Sequence, residues 1–135
     1  RFKKIFGSNY IENPKIENYT KSIIKSKLII CTIPQTSYTE CLFHNIPVIL
    51  ITHNIGYFDD QKKRKLLNIF LRNQLAFKNY FDAVKFINKN WNNIDNWWKS
   101  YRIQNLRKYY LKLFYSADKD FENRWFNFIK KEITF

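Results

Sequence analysis

Two stretches of the chain are apolar without alternation: Leu28 to Ile33 (LIICTI) and Val48 to Thr52 (VILIT). An apolar run with no polar residue at every second place marks a strand covered on both faces, as in a parallel sheet between helix layers. Pro34-Gln35-Thr36 ends the first run, and Ser37 to His44 then reads as a short helix. Asn45 suits the left-handed residue that closes a helix, and Pro47 prevents continuation. Strand, helix and strand within about 25 residues form a tight βαβ unit, whose crossover is right-handed almost without exception.

The flanking pattern is helical. Phe2 to Phe6 reads as the end of a strand and Gly7-Ser8-Asn9 as a turn. Glu17 to Lys25 places Tyr19, Ile23 and Ile24 at helical spacing. His53 to Tyr57 is a loop at the C-terminal end of the second strand. Asp59 and Asp60 open a helix running to about Arg72, with Leu66, Leu67, Phe70 and Leu71 inward. Gln74 to Phe77 suits a short third strand. Tyr80 to Trp91 is an amphipathic helix whose expected inward face holds Phe81, Val84 and either Phe86 or Ile87, and Asn92 to Asp95 breaks it with a fresh N-cap. One helix is expected from Asn96 through Phe114, carrying Trp97 and Trp98. Ser116-Ala117-Asp118 interrupts, and a last helix runs from Lys119 to about Glu132.

The fold class expected from this alternation is α/β: a Rossmann-like parallel sheet with flanking helices and an all-helical C-terminal tail. The division expected is a partial Rossmann-like domain over residues 1–95, with the helices of 96–135 packing on it.

Composition sharpens this in three places. At 135 residues with 45% hydrophobic content, the chain can bury a real core, which excludes disorder. No run approaches about 20 apolar residues, so no spanning helix is expected. The chain opens on Arg1, which suggests a fragment whose N-terminal part is missing.

The net charge of +13 invites phosphate: nucleic acid, anionic lipid or a nucleotide-linked substrate. The plain alternative is a composition rich in Lys, Asn, Ile, Phe and Tyr, with the basic residues scattered. Cys31 and Cys41 fit no zinc spacing and read as buried free thiols of a reducing cytoplasm.

Candidate chemistry gathers at the first turn. Ligands of doubly wound sheets bind beyond the carboxyl ends of the strands. The N–H groups at about Thr36 to Thr39 would face that crevice with partial positive charge, and Thr36 and Ser37 add hydroxyls. Glu40, one turn on, is placed to accept hydrogen bonds from a sugar or ribose diol. A simpler reading stands beside this one. Ser37-Tyr38-Thr39-Glu40 has the spacing of a capping box, which accounts for both polar residues without a ligand.

Three features in order carry a resemblance: Ser26-Lys27-Leu28-Ile29-Ile30, then Thr36-x-x-x-Glu40, then Asn45-Ile46-Pro47-Val48-Ile49. Together they resemble the donor-binding half of GT-B glycosyltransferases. The closer likeness is to a bacterial family of surface-polysaccharide transferases, in which the Thr-x-x-x-Glu helix is followed by a Trp pair. Trp97-Trp98 stands at that place, with Asn88, Asn93 and Asp95 on the approach. The match runs from Ile23 to about Tyr115. Lys27 replaces the family's usual Arg, and the glycine often found in the phosphate turn is lacking.

The resemblance implies transfer of a glycosyl group from a nucleotide-sugar donor, without a cofactor, to a polysaccharide or lipid-linked acceptor. It implies that Thr36, Ser37 and Glu40 face the donor. Gln35, on the same turn, and His53 join them as donor-site candidates. The N-terminal domain expected to hold the acceptor and the catalytic base lies outside the sequence, so no catalytic residue is assigned. The expected location is the cytoplasm, with peripheral contact at the inner face of the membrane left open and no nucleic acid as partner. Two alternatives are a basic non-enzymatic module for nucleic acid or anionic membrane, and transfer of a phospho-alditol group from a cytidine diphosphate donor.

The other candidates carry two readings each. His53 follows a strand at the ligand edge and suits a phosphate contact or a base, whereas His44 reads as structural. Asp59-Asp60 suits a diphosphate-bound cation or, more simply, a helix start. Lys62-Lys63-Arg64-Lys65 suits a diphosphate, an anionic membrane or a solvated face. Trp97-Trp98 suits sugar stacking or, more simply, the core. No acidic or histidine cluster has metal-ligand spacing, so no metal is expected.

Overall fold

A computed structural model describes Lys4 and residues 7–9, 19–53, 60–114 and 130. Apart from Lys4 and Lys130, both helical, the expected strand end at Phe2 to Phe6 and the last helix lie outside them, as do the loop residues 54–57, Asp59 and the break at Ser116. Gly7–Asn9 is a short 3-10 turn, with Gly7 in left-handed backbone at φ 56°.

Among the described residues the sheet has three parallel strands: β1 (Ile29–Cys31), β2 (Val48–Ile51) and β3 (Ala76–Phe77), in the order β1-β2-β3. Ile30 pairs with Ile49, and Leu50 with Ala76. The helices are α1 (Tyr19–Lys25), α2 (Thr36–Phe43), α3 (Gln61–Arg72), α4 (Tyr80–Asn90), α5 (Ile94–Lys99) and α6 (Tyr101–Phe114). A 3-10 turn over Trp91–Asn93 joins α4 to α5. This is the α/β architecture expected, a parallel sheet flanked by helices with a helical C-terminal part.

The unbroken apolar run of β2 has the predicted cause. Val48 and Leu50 face a core layer built from Tyr38 and Leu42 of α2, Leu66 and Phe70 of α3, and Trp98, Ile103 and Tyr110 of the C-terminal helices. Ile49 faces the opposite layer, with Phe77, Ala83, Phe86 and Ile94. Each such aliphatic side chain contributes about 1.5–3 kcal/mol by leaving water. β1 departs from expectation. Only three residues are strand, and Ile30 is 51% exposed. β1 is the edge of the described sheet and pairs with β2 alone, so its outer face lacks the double cover that β2 enjoys.

Helix ends fix where α2 and α3 hand over to the strands. The Asn45 N–H donates to Leu42 O (3.3 Å) and the Ile46 N–H to Cys41 O (2.8 Å). Asn45 sits at φ 58°, as its place after the helix predicts. This is a Schellman closure, with buried Ile46 returning over Cys41. The same device ends α3: Gln74 N–H to Leu71 O (3.4 Å) and Leu75 N–H to Phe70 O (3.0 Å), with Gln74 at φ 64°. Gln74 therefore belongs to the helix end, and the third strand is shorter than Gln74 to Phe77.

Three further expectations are corrected. α2 starts at Thr36, one residue before the expected N-cap. α4 turns Ala83 and Phe86 inward, while Phe81 and Val84 are 63% and 49% exposed. The single helix expected from Asn96 to Phe114 is two, parted at Ser100. The Ser100 backbone is extended (φ −58°, ψ 143°), its hydroxyl donates to Trp97 O (2.7 Å), and its carbonyl accepts from the Gln104 N–H (3.0 Å).

Candidate functional site

The residues beyond β1 surround an open hollow of about 420 Å³, walled by Ile30, Cys31 and Thr32 on one side and by Gln35, Thr36 and Ser37 on the other. It sits where open α/β sheets receive ligands, outside the carboxyl end of a strand. The N-terminus of α2 opens on it. Gln35 is the N-cap, with extended backbone (φ −107°, ψ −159°), and its side chain makes no capping hydrogen bond.

The capping-box reading is thereby overturned. Ser37 is the second helical residue, past the position from which a hydroxyl caps. Its Oγ instead accepts a hydrogen bond from the Tyr19 hydroxyl at 2.9 Å. The first-turn N–H groups of α2 are left to solvent or ligand, with the positive end of the helix dipole behind them.

Three long-range contacts seat α2. Thr39 Oγ1 and the Tyr110 hydroxyl share a hydrogen bond (3.0 Å). Arg107 Nη1 donates to Leu42 O (2.8 Å), and its Nε donates to Gln104 Oε1 (3.0 Å). Trp98 Nε1 donates to both Asn45 O and Asn45 Oδ1. The first pins the middle of α2, and the other two bring further donors to carbonyls at and just past its C-terminal end. Burial pulls the Arg107 pKa below the usual guanidinium value. Sequence reasoning missed Tyr19, Arg107 and Tyr110, since nothing in local spacing links them to α2.

The five predicted donor-site residues divide among three cavities. Gln35, Thr36 and Ser37 meet at the hollow beyond β1. Glu40 lines a neighbouring cavity of about 580 Å³ between α1 and the C-terminal end of α2, with Tyr19, His44 and Pro47. Tyr19 separates the two, lining the second while bonding to Ser37 of the first. His53 lines a third, about 290 Å³, with Thr52, Arg64, Asn68 and Lys78.

The simpler readings hold for Asp60 and for the Trp pair. Asp60 is the N-cap of α3: its carboxylate accepts from the Lys63 N–H (2.8 Å), which lowers its pKa, and Lys63 Nζ lies 3.6 Å away. Trp98 is buried and Trp97 is half-buried against Phe86, their ring centroids 5.1 Å apart, so the Trp pair is core. Among the described residues no three His, Cys, Asp or Glu side chains converge as a metal site. Nor is any helix among them long and apolar enough to cross a membrane.

Both cysteines are free. Burial raises the Cys31 thiol, and burial, then Cys31 and Glu40, pushes Cys41 up to about 11. Burial, then Tyr110, holds the Tyr38 phenol well above its usual value, and its oxygen has no hydrogen-bond partner. These groups stay protonated, and none is poised as a nucleophile at neutral pH.

A family model described as LIC12162 family transferase matches residues 1–129. The chain belongs to this family. Neither a curated protein nor a solved structure matches it. In this LIC12162 family transferase, the uncapped helix start and the hollow beyond β1 are features of the matched region.

Proposed function

We propose that this transferase moves a glycosyl group from a nucleotide-sugar donor in bacterial surface polysaccharide synthesis, and that the chain is its GT-B-like, donor-binding part. The observation that carries the reading is the uncapped start of α2 facing the hollow beyond β1. In this reading the N–H groups of Thr36, Ser37 and Tyr38 hold the donor's diphosphate.

An oxygen of the acceptor hydroxyl forms the new bond to the anomeric carbon. The bond from that carbon to the diphosphate oxygen breaks, and its electron pair leaves with the nucleotide. Negative charge grows on the diphosphate as this happens, so fixed N–H dipoles favour the transition state over the bound donor. Glu40 receives ribose or sugar hydroxyls once the Tyr19–Ser37 contact opens. The acceptor, a polysaccharide or lipid-linked sugar, and the base that takes its proton are assigned in this reading to a preceding domain. The reading does not need His53.

Calorimetric titration with UDP, GDP and CDP tests it. One diphosphate is expected to bind, with Ser37→Asp weakening it about tenfold or more by placing a carboxylate among the N–H groups. Glu40→Gln is expected to weaken donor binding while leaving the melting temperature unchanged. Equal affinity of Ser37→Asp and the unaltered chain would sink the reading. Preference for CDP would favour the phospho-alditol alternative.

A further inference from the structure

α4 carries two apolar stripes where a surface helix needs one. Ala83 and Phe86 meet the sheet. On the other side Tyr80, Phe81, Val84 and Trp91 are 54%, 63%, 49% and 47% exposed. Trp91 follows α4 in helical backbone (φ −51°, ψ −44°), so Tyr80, Val84 and Trp91 form one row along the outer face, with Phe81 beside it. The Tyr80 and Phe81 rings lie together, centroids 4.1 Å apart.

Lysines border this patch. Lys85 and Lys89 follow Phe81 at successive steps of four, both exposed. Lys27 reaches in from the start of β1, its Nζ 4.8 Å from the centre of the Trp91 ring. The acidic residue of α4, Asp82, is engaged at the helix start, where it accepts from Asn79 Nδ2 (2.8 Å).

Apolar and aromatic residues in the middle, with flexible cations at the edges, match the boundary between lipid headgroups and acyl chains. Tyr and Trp favour that boundary, and lysine stems reach across it to phosphate. A second copy would bring the same positive rim on a chain of net charge +13. Nucleic acid would engage the lysines but leave Val84 and the Phe81 edge without an apolar partner.

We propose that the outer face of α4 docks on an anionic phospholipid bilayer, with Phe81, Val84 and Trp91 entering the headgroup–acyl boundary and Lys27, Lys85 and Lys89 meeting lipid phosphates. The docking face is independent of the donor site, because α2 and α4 pack on opposite faces of the sheet.

The test is co-sedimentation of the chain with vesicles of phosphatidylcholine alone and of phosphatidylcholine with about one third phosphatidylglycerol. Binding is expected to the mixed vesicles only, with a blue shift of tryptophan emission that Trp91→Phe removes. Phe81→Ser with Val84→Ser abolishes binding, and Lys85→Glu with Lys89→Glu weakens it about tenfold or more. All four side chains are exposed, so far-UV circular dichroism and the melting temperature remain those of the unaltered chain. The proposal fails if the unaltered chain ignores anionic vesicles, or if both double variants bind as it does. It fails too if Phe81→Ser with Val84→Ser instead turns a dimer into a monomer, or if duplex DNA binds this face in preference to the vesicles. Loss of vesicle binding leaves nucleoside diphosphate titration untouched, so the two readings fall separately.

Discussion

The indole N–H of Trp98 donates to two acceptors on one residue, Asn45 O and Asn45 Oδ1, each at 3.1 Å. Asn45 is the left-handed residue that ends α2, so a buried tryptophan on α5 holds the joint between α2 and β2. The neighbouring indole does the opposite, as Trp97 Nε1 is buried without a partner. Trp98→Phe is therefore expected to lower stability by about 2–3 kcal/mol, from the lost bond and the space left behind. Trp97→Phe sheds an unsatisfied donor and is expected within about 1 kcal/mol of the unaltered chain. Urea unfolding of the two variants checks the difference.

A carboxylate at the empty N-cap is expected to trade binding for stability. Gln35 caps nothing with its side chain. Gln35→Asp should add about 0.5–1 kcal/mol to the folded state through the capping bond and the dipole. The same carboxylate occupies the first-turn N–H groups and repels phosphate, so nucleoside diphosphate affinity falls. Thermal unfolding and calorimetric titration on one preparation check both halves.

Left-handed backbone at Gln74 makes a second test. With φ at 64°, a residue bearing a Cβ is strained there. Gln74→Gly should raise stability by about 0.5–1 kcal/mol, and Gln74→Val should lower it by about 1–2 kcal/mol. Melting temperatures give the sign directly.

Alkaline pH should destabilise the fold through Cys41 and Tyr38. Cys41 titrates near 9 when unfolded and near 11 in the fold, so between those values the unfolded chain binds fewer protons. Stability is then full below about pH 9 and falls as pH rises to about 11. Tyr38, raised well above 10 by burial, adds its own loss of stability as pH rises past 10. Tyr38→Phe removes the orphaned phenol, which should raise stability by about 1–2 kcal/mol at neutral pH and flatten the alkaline limb. Melting curves between neutral and alkaline pH compare Tyr38→Phe, Cys41→Ala and the unaltered chain.

The legible features were those set by short-range geometry. The run Val48 to Thr52 announced burial on two faces, and Asn45 announced the left-handed end of α2. Burial of the Trp pair was legible too, because adjacent helical residues cannot both serve one ligand. The phase of α4 was not. Apolar residues occupy more than half of its circumference, so Phe81 and Val84 had as good a claim to the core as Ala83 and Phe86. Only the sheet decided between them. The spacing of Ser37 and Glu40 matched a capping box, yet the start of α2 is fixed instead by where Tyr38 and Leu42 must reach the core. Spacing placed Glu40 one turn past the first loop and strand order placed His53 at the ligand edge, but neither says which wall each lines, and the tertiary packing put them in separate cavities.

The contacts that seat α2 reach 53, 65 and 71 residues along the chain, from Trp98, Arg107 and Tyr110. Closing such spans is entropically slow, and during synthesis α2 is made before α5 and α6. The βαβ unit can pair early, but its helix waits for the tail. The candidate anion site is therefore completed only after most of the chain has been made, and a nascent chain halted before Trp98 carries its residues without their final placement.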